Sequence, residues 1–239
     1  MNRRLLLTAV CTLMGLSQVF AHAMWIETSP SGKKGVSQEV RIYFGEFGDK
    51  DITPTATWFS DISQFSLVVV APDGKETLLK ARPLETYYTA SFTPDANGVY
   101  SLAMHHVVRE VYHGMVLDYN SSATVKVGTT GEKSLAAPKN VIAVQPAVKG
   151  SYTTSQPISI QAFFEGKPAG NKEVEVVAPN GWSKKLYTDS LGFASFTPLW
   201  DGKYNVEYTS TEKKEGEHQS ARYDSWYYCS TMIIPVGKQ

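Results

Sequence analysis

The chain repeats itself. VVAPDG at residues 69–74 returns as VVAPNG at 176–181, and FTPDANGVY at 92–100 returns as FTPLWDGKY at 196–204. The two offsets, 107 and 104 residues, make the second copy about three residues shorter between the landmarks. Self-similarity at this spacing points to one structural unit built twice. Small antiparallel sandwiches converge on such turns in any case, but two landmarks in the same order favour duplication.

Each landmark has a mechanical sense. The apolar runs Phe65–Val70 and Val174–Val177 stop at Pro-Asp-Gly and Pro-Asn-Gly, where proline presets one dihedral and glycine accepts a positive one. After the second landmark, residues alternate: Tyr100, Leu102 and Met104 in one copy, Tyr204, Val206 and Tyr208 in the other. Period-two alternation describes a half-buried strand. No segment shows a run at helical spacing. The expected fold is therefore all-β: two tandem immunoglobulin-like or transthyretin-like antiparallel β-sandwiches, at residues 22–136 and 141–239, joined by Pro138-Lys139-Asn140.

Ahead of them, residues 1–21 read MNRRLLLTAVCTLMGLSQVFA, with Arg3 and Arg4 before an apolar run and small residues at Val19 and Ala21. This is the build of a secretory signal peptide, too short to be a membrane span. Two cuts satisfy the small-x-small rule. One, after Ala21, makes His22 the first residue; the other, after Ala23, discards it. We take the first. Cys11 lies inside the apolar run without a small residue before it, which argues against a lipoprotein. Removal of the segment leaves 218 residues, with 21 basic against 23 acidic side chains and no basic patch, so a nucleic-acid partner is not expected. Cys229 is then the only cysteine. The expected location is the periplasm, with no membrane span in the mature chain and no internal disulfide.

Five histidines occur, at 22, 105, 106, 113 and 218. His105, His106 and His113 fall within nine residues of the first copy, and the matching stretch of the second copy has none. They are therefore not part of the shared fold plan, although any one of them is as readily a surface or half-buried polar group. Successive strand residues face opposite sides, so His106 shares a face with Met104 and Leu102, and His105 faces away. If Tyr100 points inward, His105 is the freer for a ligand, whereas a site at the sandwich end can use either. An amino-terminal His22 offers its α-amine and imidazole to one metal ion as a chelate. With a further imidazole, such nitrogens suit Cu(II) or Ni(II); Met24, Met104 or Met115 would add thioethers for Cu(I).

With AHAMWIE at the front and GKPAGNKEVEVVAPNG, TDSLGFASF, DGKYNVEY and RYDSWYYCSTMIIPV behind, the chain resembles the NikM-like family of periplasmic proteins. That resemblance implies a substrate-specific component of nickel or cobalt uptake. Gly166, Pro168 and Gly170 with Thr188, Asp189 and Gly192 make the second half similar to transthyretin-like or carboxypeptidase-regulatory modules, where these positions are structural. The front, with His22, Ala23, Ser29, Pro30 and Gly32, also resembles CopC-type copper carriers, single sandwiches of about half this length. A third resemblance is to copper-dependent polysaccharide monooxygenases, with Tyr112, Tyr227 or Tyr228 as the axial aromatic; such enzymes usually carry disulfides, which one cysteine cannot form.

Gly-x-Ser-x-Gly and His-Glu-x-x-His are missing, so no hydrolytic site is expected. The expectation is a metal-binding accessory or carrier without catalytic role, its ligands drawn from His22, His105, His106 and His113, its ion Ni(II), Co(II) or Cu(II), and its partner an envelope transporter or receptor. The alternatives are a CopC-like copper protein and a non-metal binding or assembly module using the aromatic tract YDSWYYC at 223–229. Alternate members of that tract are more readily the core face of a final strand.

Overall fold

The structure is a computed structural model, and it describes residues 22–128, 139–146 and 151–237. Residues 1–21, where a signal peptide is expected, and the end of the first unit up to Pro138 lie outside the described residues. Among the described residues the fold is all-β, interrupted by two 3-10 turns at Thr55–Thr57 and Ile62–Gln64. No helix among them is long and apolar enough to cross a membrane.

One nine-stranded sheet runs through both halves. Its order is Ser183–Tyr187, Glu173–Val177, Gly202–His218, Ala221–Val236, Met115–Val127, Gly98–Val107, Ser66–Val70 and Glu76–Leu78, with Ser31–Gly32 beside Met115–Val127. A five-stranded layer built on Ala23–Thr28, Gln38–Glu46 and Tyr88–Phe92 covers one region of it. A four-stranded layer built on Ile142–Pro146, Ile158–Phe164 and Phe193–Phe196 covers the other. Most pairs are antiparallel, but the halves join through a parallel one, Met115–Ser122 beside Ser225–Met232. The sandwiches are thus not beads on a linker.

The final strand explains this join. It is 16 residues long, more than the second sandwich needs. Tyr227 and Cys229 enter the first core, with Leu117, Tyr119 and Met104. Tyr228, Met232, Ile234 and Val236 enter the second, with Tyr204 and Tyr208. Alternate residues of a strand face opposite sides, so the two cores lie on opposite faces of the shared sheet. A strand covered on both faces needs large apolar side chains at successive positions, which the tract at 226–229 supplies. Tyr227, Tyr228 and Cys229 are each buried, so successive members of that tract are core, and not alternate members on one face as expected.

The repeated landmarks pack on each other. Tyr100 Oη accepts the amides of Asp95 and Ala96 at 3.1 and 3.0 Å, and Tyr204 Oη accepts those of Leu199 and Trp200 at the same distances. Gly98 and Gly202 have φ of +148° and +135°; a Cβ there would meet Pro72 at 2.3 Å and Pro179 at 2.7 Å. The proline of one motif thus sits on the glycine of the other in both copies, which ties the two motifs into one corner. The Thr188 and Asp189 positions are structural too. Thr188 Oγ1 donates to Ala169 O and accepts Lys172 N–H, and Asp189 Oδ1 accepts the amides of Leu191 and Phe193.

One edge needs special treatment. Ala23–Thr28 pairs with Gln38–Glu46 and turns its other edge into the interior, where backbone polar groups demand partners. Side chains of the shared sheet provide them. Ser121 Oγ accepts Ile26 N–H at 3.0 Å. Thr231 Oγ1 donates to Met24 O at 2.6 Å and lies 2.9 Å from Ser121 Oγ.

Candidate functional site

The strand Ala23–Thr28 runs alongside Met115–Val127, with Lys126 N–H bonded to Pro30 O. His22 therefore lies toward the Met115 end of the first sandwich. It is exposed, its ring tilted against Phe44 at 5.5 Å between centroids. The next four residues, Ala23 to Ile26, are all buried. His22 thus stands in solvent on a fixed base.

His105 and His106 point to opposite faces, as alternation requires. His105 Nε2 bonds Asp118 Oδ1 at 3.0 Å, on the face away from the first core. This hydrogen bond to the carboxylate raises the pKa of the imidazole, against the pull of burial. Asp118 is itself buried and also accepts Asn120 Nδ2 at 2.8 Å. His106 turns inward and bonds Asp61 Oδ1 at 3.0 Å. Burial opposes the Asp61 charge, but the Arg109 amide, His106 and the Arg109 guanidinium together hold its carboxyl below the ordinary range. Both rings are oriented by carboxylates, the arrangement that fixes tautomer and direction in metal-binding histidines and in structural ones alike.

His113 sits on the turn joining Gly98–Val107 to Met115–Val127. It is exposed, with φ of +47° and its ring edge-on to Tyr112 at 4.3 Å. His218 Nε2 bonds Val108 O at 3.0 Å and ties the tip of the long hairpin to that same turn. The structure therefore places His22 against Phe44, His106 inward on Asp61 and His113 on the exposed turn beside Tyr112, with His105 on the opposite face of the sheet. Among the described residues, no three His, Cys, Asp or Glu side chains converge closely enough to hold a metal ion. Met24 and Met104 are sealed in the first core, fully buried, so their thioethers serve packing; Met115 is the sulfur at the rim.

Sequence reasoning did not find the carboxylates. Asp61 is 45 residues from His106, and no local pattern pairs them. Asp118 and Asn120 had a signal, two polar residues at alternate positions of an apolar strand. They begin a buried polar row. Asn120 is beside Ser230, and Ser230 beside Tyr208, in register across three strands. Asn120 Oδ1, Ser230 Oγ and Tyr208 Oη are buried without a bond in good geometry, as is Trp226 Nε1. Ser210 still lies near enough to Tyr208 to pull its pKa down, although burial keeps that pKa raised.

No family model matches the chain, and no curated protein matches it. Among solved structures, Salmonella alpha-2-macroglobulin reacted with methylamine is 11% identical over 90% of this chain, with a TM-score of 0.29. Trypsin-activated alpha-2-macroglobulin from Escherichia coli is 10% identical over 90%, with a TM-score of 0.28. The chain spans 15% and 16% of the lengths of those two proteins.

Proposed function

We propose that the chain is a transition-metal-binding accessory or carrier of the bacterial envelope, linked to nickel or cobalt uptake, which takes its ion at the His22 end of the first sandwich. One observation carries this reading: His22 is exposed directly ahead of four buried residues that Ser121 and Thr231 clamp in place. A cut after Ala21 would put an α-amine and an imidazole on that rigid base, ready to grip Ni(II), Co(II) or Cu(II) as a chelate. His113 on its exposed turn is a candidate source of a further imidazole. His106 is held by Asp61 and needs a ring rotation to join, whereas His105 faces the other side of the shared sheet.

The test compares the chain beginning at His22, the same chain extended by Ala21, and His22→Ala, each titrated calorimetrically with Ni(II), Co(II) and Cu(II). The reading expects tight binding to the first form alone. Equal affinity in all three would sink it.

A second reading rests on Trp182, Leu199 and Trp200. These stand exposed on adjacent turns of the second sandwich, with the two indoles 6.0 Å apart. Such a patch fits an assembly module. Under that reading, Trp182→Ala with Trp200→Ala abolishes partner capture and leaves the metal titration unchanged.

A further inference from the structure

The seam between the halves gathers more carboxylates than cations. Glu175 and Glu207 are register partners on adjacent antiparallel strands of the second half, which places their side chains on one face about 5 Å apart at Cβ. Glu46 comes from the first half, at the end of Gln38–Glu46. The loop that follows it lies against the second half. Gly48 sits beside Val177, and a Cβ on Gly181 would meet Gly48 O at 2.8 Å. Trp25 and Glu27 line the same seam. The carboxylate of Glu27 pairs with Lys203, and Trp25 Nε1 donates to it while its ring meets Phe47 edge-on.

Glu207 has no ion-pair partner among the described residues, although a lysine, Lys185, stands one strand further on, opposite Glu175 in register. From the final strand, Thr231 stands opposite it in register, and the thiol of Cys229 lies close enough for its own pKa to be raised by Glu207 after burial. From the same strand and from Met115–Val127, Tyr227 and Tyr119 feel the same charge, again after burial. Lys203, on its own strand, is engaged by Glu27. Lys185, from the neighbouring edge strand, stands opposite Glu175 in register, but its ion pair is with Glu173. Among the described residues, no ion pair reaches Glu46, Glu175 or Glu207. Burial first, and then the charges of Glu175 and Glu46, push the Glu207 carboxyl up to about 7.

We propose that this seam is a proton-controlled latch: a proton on Glu207 lets Glu46, Glu175 and Glu207 close, and its release sets three negative charges against one another and loosens the contact between the 46–50 loop and the 179–182 turn. The device converts envelope acidity into the tightness with which the two sandwiches are held. It acts on the opposite face of the shared sheet from His105 and is independent of any metal.

Amide hydrogen exchange on the whole mature chain tests it, at pH 5.5 and 8.5, with intrinsic rates corrected. Wild type should lose protection in segments 23–28, 44–48 and 174–181 at the higher pH. The expected loss is on the order of tenfold, the equivalent of one pKa unit of differential interaction. Glu207→Gln should keep protection at both values, and Glu46→Gln and Glu175→Gln should each lessen the loss. A flat wild-type profile overturns the latch, as does an undiminished loss in Glu207→Gln. Should Glu207→Gln fail to fold, wild-type behaviour in both of the other variants overturns it equally.

Discussion

Thr231→Val removes one hydroxyl from the interior and nearly nothing else, because the two side chains have almost the same shape. That hydroxyl bonds Met24 O at 2.6 Å and neighbours Ser121 Oγ at 2.9 Å, and Thr231 is fully buried. The variant leaves a buried carbonyl of an interior strand edge with no partner, and the penalty for such an orphan is about 1–3 kcal/mol. We expect about 2 kcal/mol in urea denaturation, read as a fall in midpoint at constant slope. For a chain of this size that corresponds to a drop of roughly 4–8 °C in Tm. Ser121→Ala orphans Ile26 N–H instead and belongs to the same network, so the double variant should cost less than the sum of the two singles. Because Met24 is two residues from His22, Thr231→Val should also weaken metal binding without touching a ligand. A cost below about 0.5 kcal/mol would show that the buried edge is not held by these hydroxyls.

Two further outcomes follow from particular contacts. The His105 imidazole should titrate above 6.5 by NMR, because Asp118 favours its charged form. The resulting stabilisation is present below 6.5 and lost as pH rises through the folded value. Asp118→Asn should return the midpoint to the ordinary range, and an unmoved midpoint would refute the pairing. Gly45 has φ of +154°, and a Cβ there would stand 2.1 Å from Asp51 O. Gly45→Ala should therefore destabilise by about 3 kcal/mol or more, since both conformation and space exclude the methyl; a thermal melt near wild type would contradict this.

The fold was legible because its signals are local. Pro-Asp-Gly, Pro-Asn-Gly and the alternation from Tyr100 and Tyr204 each act over a few residues, and each formed the corner or strand expected. The inward turn of His106 and the outward turn of His105 followed from parity alone. The site was less legible. The partners of the two histidines lie 13 and 45 residues away, and only folding sets such distances. The same holds for Met24 and Met104, whose thioethers look available in sequence and are enclosed by the core.

What the chain determined by itself is periodicity: strand, turn, repeat and the side to which each residue points. Tertiary structure alone decided that the second half lends its final strand to the first, that Asn140 in the supposed linker is buried with its amide on Met104 O and Ser121 O, and that the loop after Glu46 lies against Val177 and Gly181 of the second half. The reason is physical. Alternation selects a face but not the layer that will cover it, and pairing between residues over a hundred positions apart depends on which edges remain open once the local hairpins have formed.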